Sequence, residues 1–188
     1  LQRGILGLQR GFSGYYLPKE IELKKETLYN CKMVQAQDGV SVESDTLGAL
    51  LYPLEGDTFA LDMVIKPERY HEFGIALHVD KELETGYFLR MNPKNQLVAW
   101  DMWPRGEQGR YQWQIKGDVP YQIETARKLP KAEEYRVHII KEKDICVVYI
   151  NDEIVLSTRM YNHKDGYAGI YVVQGNVKLI QYKEKRSE

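Results

Sequence analysis

The sequence predicts an all-β fold in which two antiparallel sheets pack face to face, and three observations carry that prediction. Apolar and polar residues alternate with period two over most of the chain from Thr58 onward. No window of about a dozen residues shows the i, i+3, i+4 spacing of a helix. Turn-forming residues recur roughly every ten residues, the rhythm of short strands joined by tight connections.

The first clear strands run through Phe59, Leu61, Met63 and Ile65, and then through Phe73, Ile75, Leu77 and Val79, with Ala60, Asp62, Ala76 and His78 facing away from the core. Between them, Lys66 to Glu72 has room for a single helical turn, as does Lys131 to Glu134 further on. Gly86 to Met91 and Gln96 to Trp103 form the next pair around "NPKN", where Pro93 and two asparagines suit a turn. Five strands follow: Arg136 to Lys141, Ile145 to Ile150, Glu153 to Met160, Tyr167 to Val173 and Val177 to Lys183. Their joints "KEKD", "ND", "YNHKDG" and "QGN" are too short for parallel crossovers, so the neighbours must run antiparallel. In the third of these strands, Ser157, Thr158 and Arg159 read as polar residues of an edge strand.

Composition narrows the function. The 188 residues, 43% of them hydrophobic, suit one β domain with a sizeable core. Lys plus Arg number 26 and Asp plus Glu 27, so a net charge of -1 supplies no field that would gather nucleic acid or an anionic membrane. No stretch is long and apolar enough to span a bilayer as a helix, and the first residues, "LQRGILGLQRG", lack the apolar centre and cleavage site of a signal peptide. Localisation is left open. The two cysteines, Cys31 and Cys146, have no neighbouring ligands for zinc; a buried thiol at Cys146 and a bridge between the two both remain open. The histidines, His71, His78, His138 and His163, sit singly on different elements, so neither a metal nor any other cofactor is expected.

Catalytic motifs are missing too. Neither a GxGxxG nor a GxxxxGK[ST] phosphate loop occurs, and no GxSxG frames a serine. Glycoside hydrolysis requires two carboxylates across a cleft, and 27 acidic residues mark no particular pair. The densest aromatic stretch, residues 87 to 113, is more informative. Trp100 and Trp103 lie three apart, on opposite faces of a regular strand, so at least one faces outward or sits at the strand's end. An exposed indole flanked by Arg90, Asp101, Arg105 and Arg110 suits sugar recognition: flat rings cover C–H faces and charged groups meet hydroxyls. The candidate carbohydrate contacts are therefore Arg90, Trp100, Asp101, Trp103, Tyr111 and Trp113. Packing is the alternative, since Trp100 shares its face with Val98 and Met102, and Trp103, Tyr111 and Trp113 could cover a sheet end.

Two stretches add a resemblance. "YRVHIIKEKDICVVYINDEIVLSTRMYNHKDGYAGIYVVQGNVKLIQYK", residues 135 to 183, resembles the end of the C-terminal β-sandwich of glycoside hydrolase family 32, the invertase, inulinase and levanase family. "GFSGYYLPKEIEL", residues 11 to 23, is similar to the join between that family's catalytic propeller and its sandwich. Between them, Thr58 to Arg127 fits a concanavalin-like jelly roll by pattern alone. The resemblance implies residues 1 to 18 as a linker from an N-terminal domain and residues 19 to 188 as the sandwich. It implies a catalytic β-propeller of the same polypeptide as partner, with Phe12, Tyr15 and Arg159 at the contact, and an oligo- or polysaccharide as possible ligand.

The family's aspartate nucleophile lies in a "W-[ML]-N-D-P-N-G" motif that this sequence does not contain. "RMNPKN", residues 90 to 95, lacks the aspartate between Asn92 and Pro93. Without a nucleophile the chain could not form the covalent intermediate of a retaining glycosidase. The expectation is an accessory sandwich, not an enzyme by itself, that buttresses a fructan- or sucrose-type glycosidase; the alternative is a free-standing lectin-like carbohydrate-binding domain.

Overall fold

The computed structural model describes residues 19–20, 26–103, 121–122 and 127–186. The expected linker at 1–18, with Phe12 and Tyr15, and the candidate rings Tyr111 and Trp113 lie outside the described residues.

Thirteen strands make up the described fold: β1 (Lys19–Glu20), β2 (Thr27–Tyr29), β3 (Lys32–Ala36), β4 (Gly39–Leu54), β5 (Thr58–Arg69), β6 (Glu72–Val79), β7 (Gly86–Asn92), β8 (Leu97–Trp103), β9 (Tyr121–Gln122), β10 (Tyr135–Glu142), β11 (Ile145–Ile150), β12 (Ile154–Arg159) and β13 (Gly166–Arg186). Every named pair among them is antiparallel. They run in the order β12-β11-β10-β5-β13-β6-β7-β8-β9, with β4 along the other edge of β13 and β2 and β3 paired to β4. The all-β antiparallel expectation is met.

Two layers arise because β13 serves both. Its first part, Tyr167 to Val173, pairs with β6, while its second part, Asn176 to Arg186, pairs with β5. β4 follows β13 from Gly166 to Leu179 and so crosses between the layers with it. The crossing is marked by a bulge between Val173 and Gly175, where Gln174 takes φ 48°. Gly175 permits it, since a β-carbon there would lie 1.9 Å from the Arg69 carbonyl oxygen. This corrects the reading of "QGN" as a hairpin joint: the residues form a bulge inside one long strand, not a turn between two.

The core lies between the layers. Phe59, Leu61, Met63 and Ile65 of β5 and Tyr135, Val137 and Ile139 of β10 meet Phe73, Ile75 and Leu77 of β6 and Tyr87, Leu89 and Met91 of β7. Rings touch across the gap, Phe73 to Tyr135 at 5.7 Å and Phe59 to His78 at 5.6 Å between centroids. Burying a side chain of this size contributes about 1.5–3 kcal/mol each.

Local chemistry explains the joints. Asn151 and Asp152 take φ 51° and 58°, and the Glu153 amide donates to the Ile150 carbonyl at 3.1 Å, closing the two-residue hairpin expected of "ND". Neither expected helical turn forms. β5 continues to Arg69 and β6 starts at Glu72, so Lys66 to Glu72 is mostly strand. At Lys131 to Glu134 the Tyr135 hydroxyl pins an irregular segment, donating to the Pro130 carbonyl at 2.8 Å and accepting from the Ala132 amide at 3.0 Å.

One outward assignment also changes. His78 sits at φ 52°, beside a register shift that pairs Tyr167 with Val79 but Ala168 with Leu77. The extra residue turns its ring inward, and it is buried. Ala76 does face away from the main core, but a second apolar cluster covers it.

At the far edge, β12 carries the Ser157, Thr158 and Arg159 triplet as the terminal strand of the order. Thr158 points inward opposite Cys146 and is buried, whereas Ser157 and Arg159 are exposed. Both cysteines are free. Complete burial pushes the Cys146 thiol up to about 12, so it packs as a small apolar residue. Cys31 donates from Sγ to the Ala49 carbonyl at 3.2 Å and forms no bridge to Cys146.

Candidate functional site

The outer face of the layer holding β6, β7 and β8 carries a cleft. Strand alternation decides which residues reach it. With Phe73, Ile75 and Leu77 in the core, β6 turns Glu72, Gly74 and Ala76 outward; β7 likewise turns out Phe88 and Arg90, β8 Asp101 and Trp103, and β13 Tyr171 and Val173. Register then assembles them: Phe88 lies opposite Asp101, and Arg90 and Tyr171 are both cross-strand partners of Gly74.

The result is a cleft of about 370 Å³. Leu47, Leu83, Phe88, Trp103 and Val173 supply its apolar lining, and Glu72, Arg90, Asp101 and Tyr171 its polar groups. An apolar wall with a few convergent polar groups is the usual make-up of a small-ligand site. Leu83 reaches the cleft from a turn organised by Asp80, whose Oδ1 accepts the Glu82 and Glu84 amides at 3.0 and 2.9 Å and whose Oδ2 accepts the Thr85 hydroxyl at 2.6 Å. Phe88 and Tyr171 meet edge to face, 5.6 Å apart at 82°.

The polar groups form one chain. Arg90 Nε lies 3.0 Å from Asp101 Oδ2 and 3.9 Å from Glu72 Oε2, and the Tyr171 hydroxyl donates to Glu72 Oε1 at 3.2 Å. Two carboxylates thus share one guanidinium. The Arg90 to Asp101 contact is close but turned out of hydrogen-bond alignment, so buried Arg90 Nε makes no hydrogen bond among the described residues. Among the described residues Asp101 Oδ1 likewise has no donor, and it is buried on a side chain only 6% exposed. Burial raises the Asp101 carboxyl above its ordinary range, with Arg90 pulling it back. Burial also raises Glu72, against the lowering effects of Arg90 and the Tyr171 hydroxyl. The Tyr171 phenol is pushed well up by burial and then by Glu72.

Of the residues proposed from sequence, the structure brings Arg90, Asp101 and Trp103 together in this cleft. Trp100 is corrected. It is fully buried among the core residues of the sandwich, because it alternates with Trp103 and shares its face with Val98 and Met102. It cannot touch a ligand on the surface. Arg159 is exposed on edge strand β12, on the other layer. Glu72, Phe88 and Tyr171 escaped the sequence reading. Their signal was available in principle, since each is a polar or aromatic residue at an outward position of an alternating strand.

Elsewhere, Asp62 accepts from His138 Nδ1 at 2.5 Å and pairs with Lys185 at 3.1 Å. Among the described residues no three His, Cys, Asp or Glu side chains come together as a metal site.

The described chain is thus an antiparallel β-sandwich with an apolar-walled, polar-floored cleft on the outer face of one sheet. The comparisons agree on the fold. The chain is similar to a carbohydrate-binding module, CBM66, from Bacillus subtilis, at 16% identity and a TM-score of 0.72, over 87% of this chain and 97% of that one. It is similar to a putative glycosyl hydrolase from Parabacteroides distasonis at 16% identity and TM-score 0.59, over 87% and 88%. It is also similar to the exoplasmic/lumenal domain of VIP36 in its form bound to Ca2+ and Man3GlcNAc, at 11% identity and TM-score 0.59, over 89% and 91%. At these identities the likeness shows a shared fold. No protein-family model matches the chain, and no curated protein matches it.

Proposed function

We propose that this chain is a carbohydrate-binding β-sandwich whose ligand sits in the cleft between Phe88, Arg90, Asp101 and Trp103. The observation that carries this reading is Asp101 Oδ1, a buried carboxylate oxygen with no donor among the described residues, beside an apolar wall. An unmet acceptor in such a place is costly unless a ligand or water meets it. A sugar hydroxyl supplies the donor, while Trp103 and Phe88 cover the C–H face of a pyranose or furanose ring. Arg90 donates to a neighbouring hydroxyl, and Glu72, steadied by Tyr171, accepts another. Tyr111 and Trp113 are further candidate rings from the segment after β8.

The fold neighbours that are a carbohydrate-binding module and a glycan-bound domain support this reading over a purely structural role. Levan and inulin, with unrelated glycans as controls, are the first probes, titrated while tryptophan fluorescence and heat are recorded. Saturable binding that weakens by about 10- to 100-fold in Asp101→Ala, the loss expected of a charged hydrogen-bond partner, supports it. Binding unaffected by that substitution, or none to any glycan, refutes it.

A finer reading places the sandwich beside a family 32 catalytic propeller in one polypeptide, with Phe12, Tyr15 and Arg159 toward the propeller. It is supported by the sequence likeness of residues 11 to 23 and 135 to 183 and by the glycosyl hydrolase among the fold neighbours. The reading frame upstream of Leu1 tests it: a propeller bearing the missing aspartate motif supports it, and an unrelated sequence there removes it.

A further inference from the structure

At the floor of the cleft one cation serves two acids. Arg90 Nε lies 3.0 Å from Asp101 and 3.9 Å from Glu72, so strengthening one contact weakens the other. Asp101 carries the unmet oxygen, and its side chain is 6% exposed against 22% for Glu72. Glu72 has a second partner, the Tyr171 hydroxyl, which Asp101 lacks.

Among the described residues, the charged or titratable groups around these acids are few. They are Arg90 on β7, Tyr171 on β13, and His71 just before β6, whose charge acts on Glu72. The facing side chains from β4 and from the turn at 80–85 are Leu47 and Leu83. Of these groups only Arg90 is a cation acting on Asp101, whereas Glu72 also feels His71.

We propose that, in the sugar-binding role assigned above, the cleft is gated by a proton on Asp101: ionised, it holds a sugar hydroxyl through Oδ1; protonated, it lets the sugar go. Glu72 sets where this happens by competing for Arg90. The chemistry follows from the acceptor. A carboxylate accepts a hydroxyl in a charge-assisted bond roughly twice as strong as a neutral one, and a carboxylic acid spends one oxygen as a donor. Burial, which favours the neutral acid on both side chains, brings the proton on above the ~4 typical of exposed carboxylates. Since the sugar favours the ionised form, its binding expels a proton near the transition, and affinity falls by about tenfold for each pH unit below it.

The test uses the whole chain with levan and inulin in calorimetric titrations from pH 7.5 downward. In parallel, the side-chain carboxyl carbons of the free protein are followed by NMR. The expected result is a loss of affinity in step with the Asp101 carboxyl, above the range where exposed acids titrate. Glu72→Gln, which leaves Arg90 to Asp101 alone, moves both the titration and the loss of affinity to lower pH. Asp101→Asn weakens binding by about tenfold or more at neutral pH and flattens the residual pH dependence. Three results overturn the gate: affinity that stays constant while Asp101 titrates, an Asp101 that titrates with the surface acids, or a Glu72→Gln chain whose transition does not move. If no glycan binds at any pH, the sugar-binding reading itself fails. The NMR titration, which requires no ligand, distinguishes that failure from a gate that is merely set wrongly.

Discussion

Tyr171 and Gly74 are cross-strand partners, and the tyrosine ring occupies the space that a side chain at position 74 would require. A β-carbon on residue 74 would lie 2.8 Å from Tyr171 Cε1 and 2.0 Å from the Leu89 carbonyl oxygen. The glycine therefore makes the bed on which Tyr171 lies as it reaches Glu72. Gly74→Ala is expected to cost about 1–3 kcal/mol of stability, through overpacking that no small side-chain shift relieves. Urea unfolding measures the cost, and a change within a few tenths of a kcal/mol would show that the strand backbone at Leu89 gives way along with the ring.

Acid should weaken the fold through His78. Burial, helped by the nearby Lys141 and His163 charges, holds its imidazole down to about 3 from an ordinary 6.5, and among the described residues neither ring nitrogen has a hydrogen-bond partner. The main chain of Asp165 lies near the ring but outside hydrogen-bond geometry. The folded state thus binds fewer protons than the unfolded chain between these two values. Stability is full above pH 6.5 and declines as pH falls toward 3, by at most roughly 5 kcal/mol from this group. Thermal unfolding at pH 7.5 and 4.5 checks the slope. His78→Asn, which tolerates the positive φ and does not titrate, should flatten it.

Asp62 acts at lower pH. The His138 hydrogen bond, against the effect of burial and aided by Lys185, brings its carboxyl down to about 2 from 3.8. Its contribution is present above pH 3.8 and disappears as pH falls through 2. The side chain is 27% exposed, so solvent screening trims the effect, and Asp62→Asn should cost about 1–2 kcal/mol at pH 7 and nothing near pH 2. Equal costs at the two pH values would show that the pair stabilises by shape alone.

The two tryptophans of β8 should behave oppositely. Trp100→Ala empties a core position and is expected to cost about 3–5 kcal/mol, a large part of a domain's stability. Trp103→Ala should leave unfolding close to that of the parent and remove the fluorescence response to a bound glycan. Circular dichroism and a glycan titration separate these outcomes.

Much of this architecture could be read from alternation alone. Phe59, Leu61, Met63 and Ile65, or Phe73, Ile75 and Leu77, declare a buried face because period two leaves a residue only two directions to point. The same rule places Arg90, Asp101 and Trp103 on one surface and Trp100 on the other. It fails where the backbone skips a step. At His78 and at Gln174 a bulge inserts a residue, and the pattern gives no warning because local bonding of the bulge and close approaches such as that of Gly175 to Arg69 are tertiary facts. Glu72 was hidden differently, as the last residue of a polar run that resembled a helical turn. Tyr171 looked like one more strand tyrosine until β6 and β13 were seen side by side.

Strand β13 also bears on how this protein is made. Both sheets are completed by residues 166–186, which pair with β4 and β5 across more than a hundred positions in sequence and with β6 across 88 to 101. A nascent chain therefore has no finished layer to hold until that stretch has left the ribosome, and its earlier strands wait with open edges that other polypeptides could join. Dependence on chaperones during synthesis, and intolerance of shortening from the C-terminal side, are the cost of running one strand through both halves of the molecule.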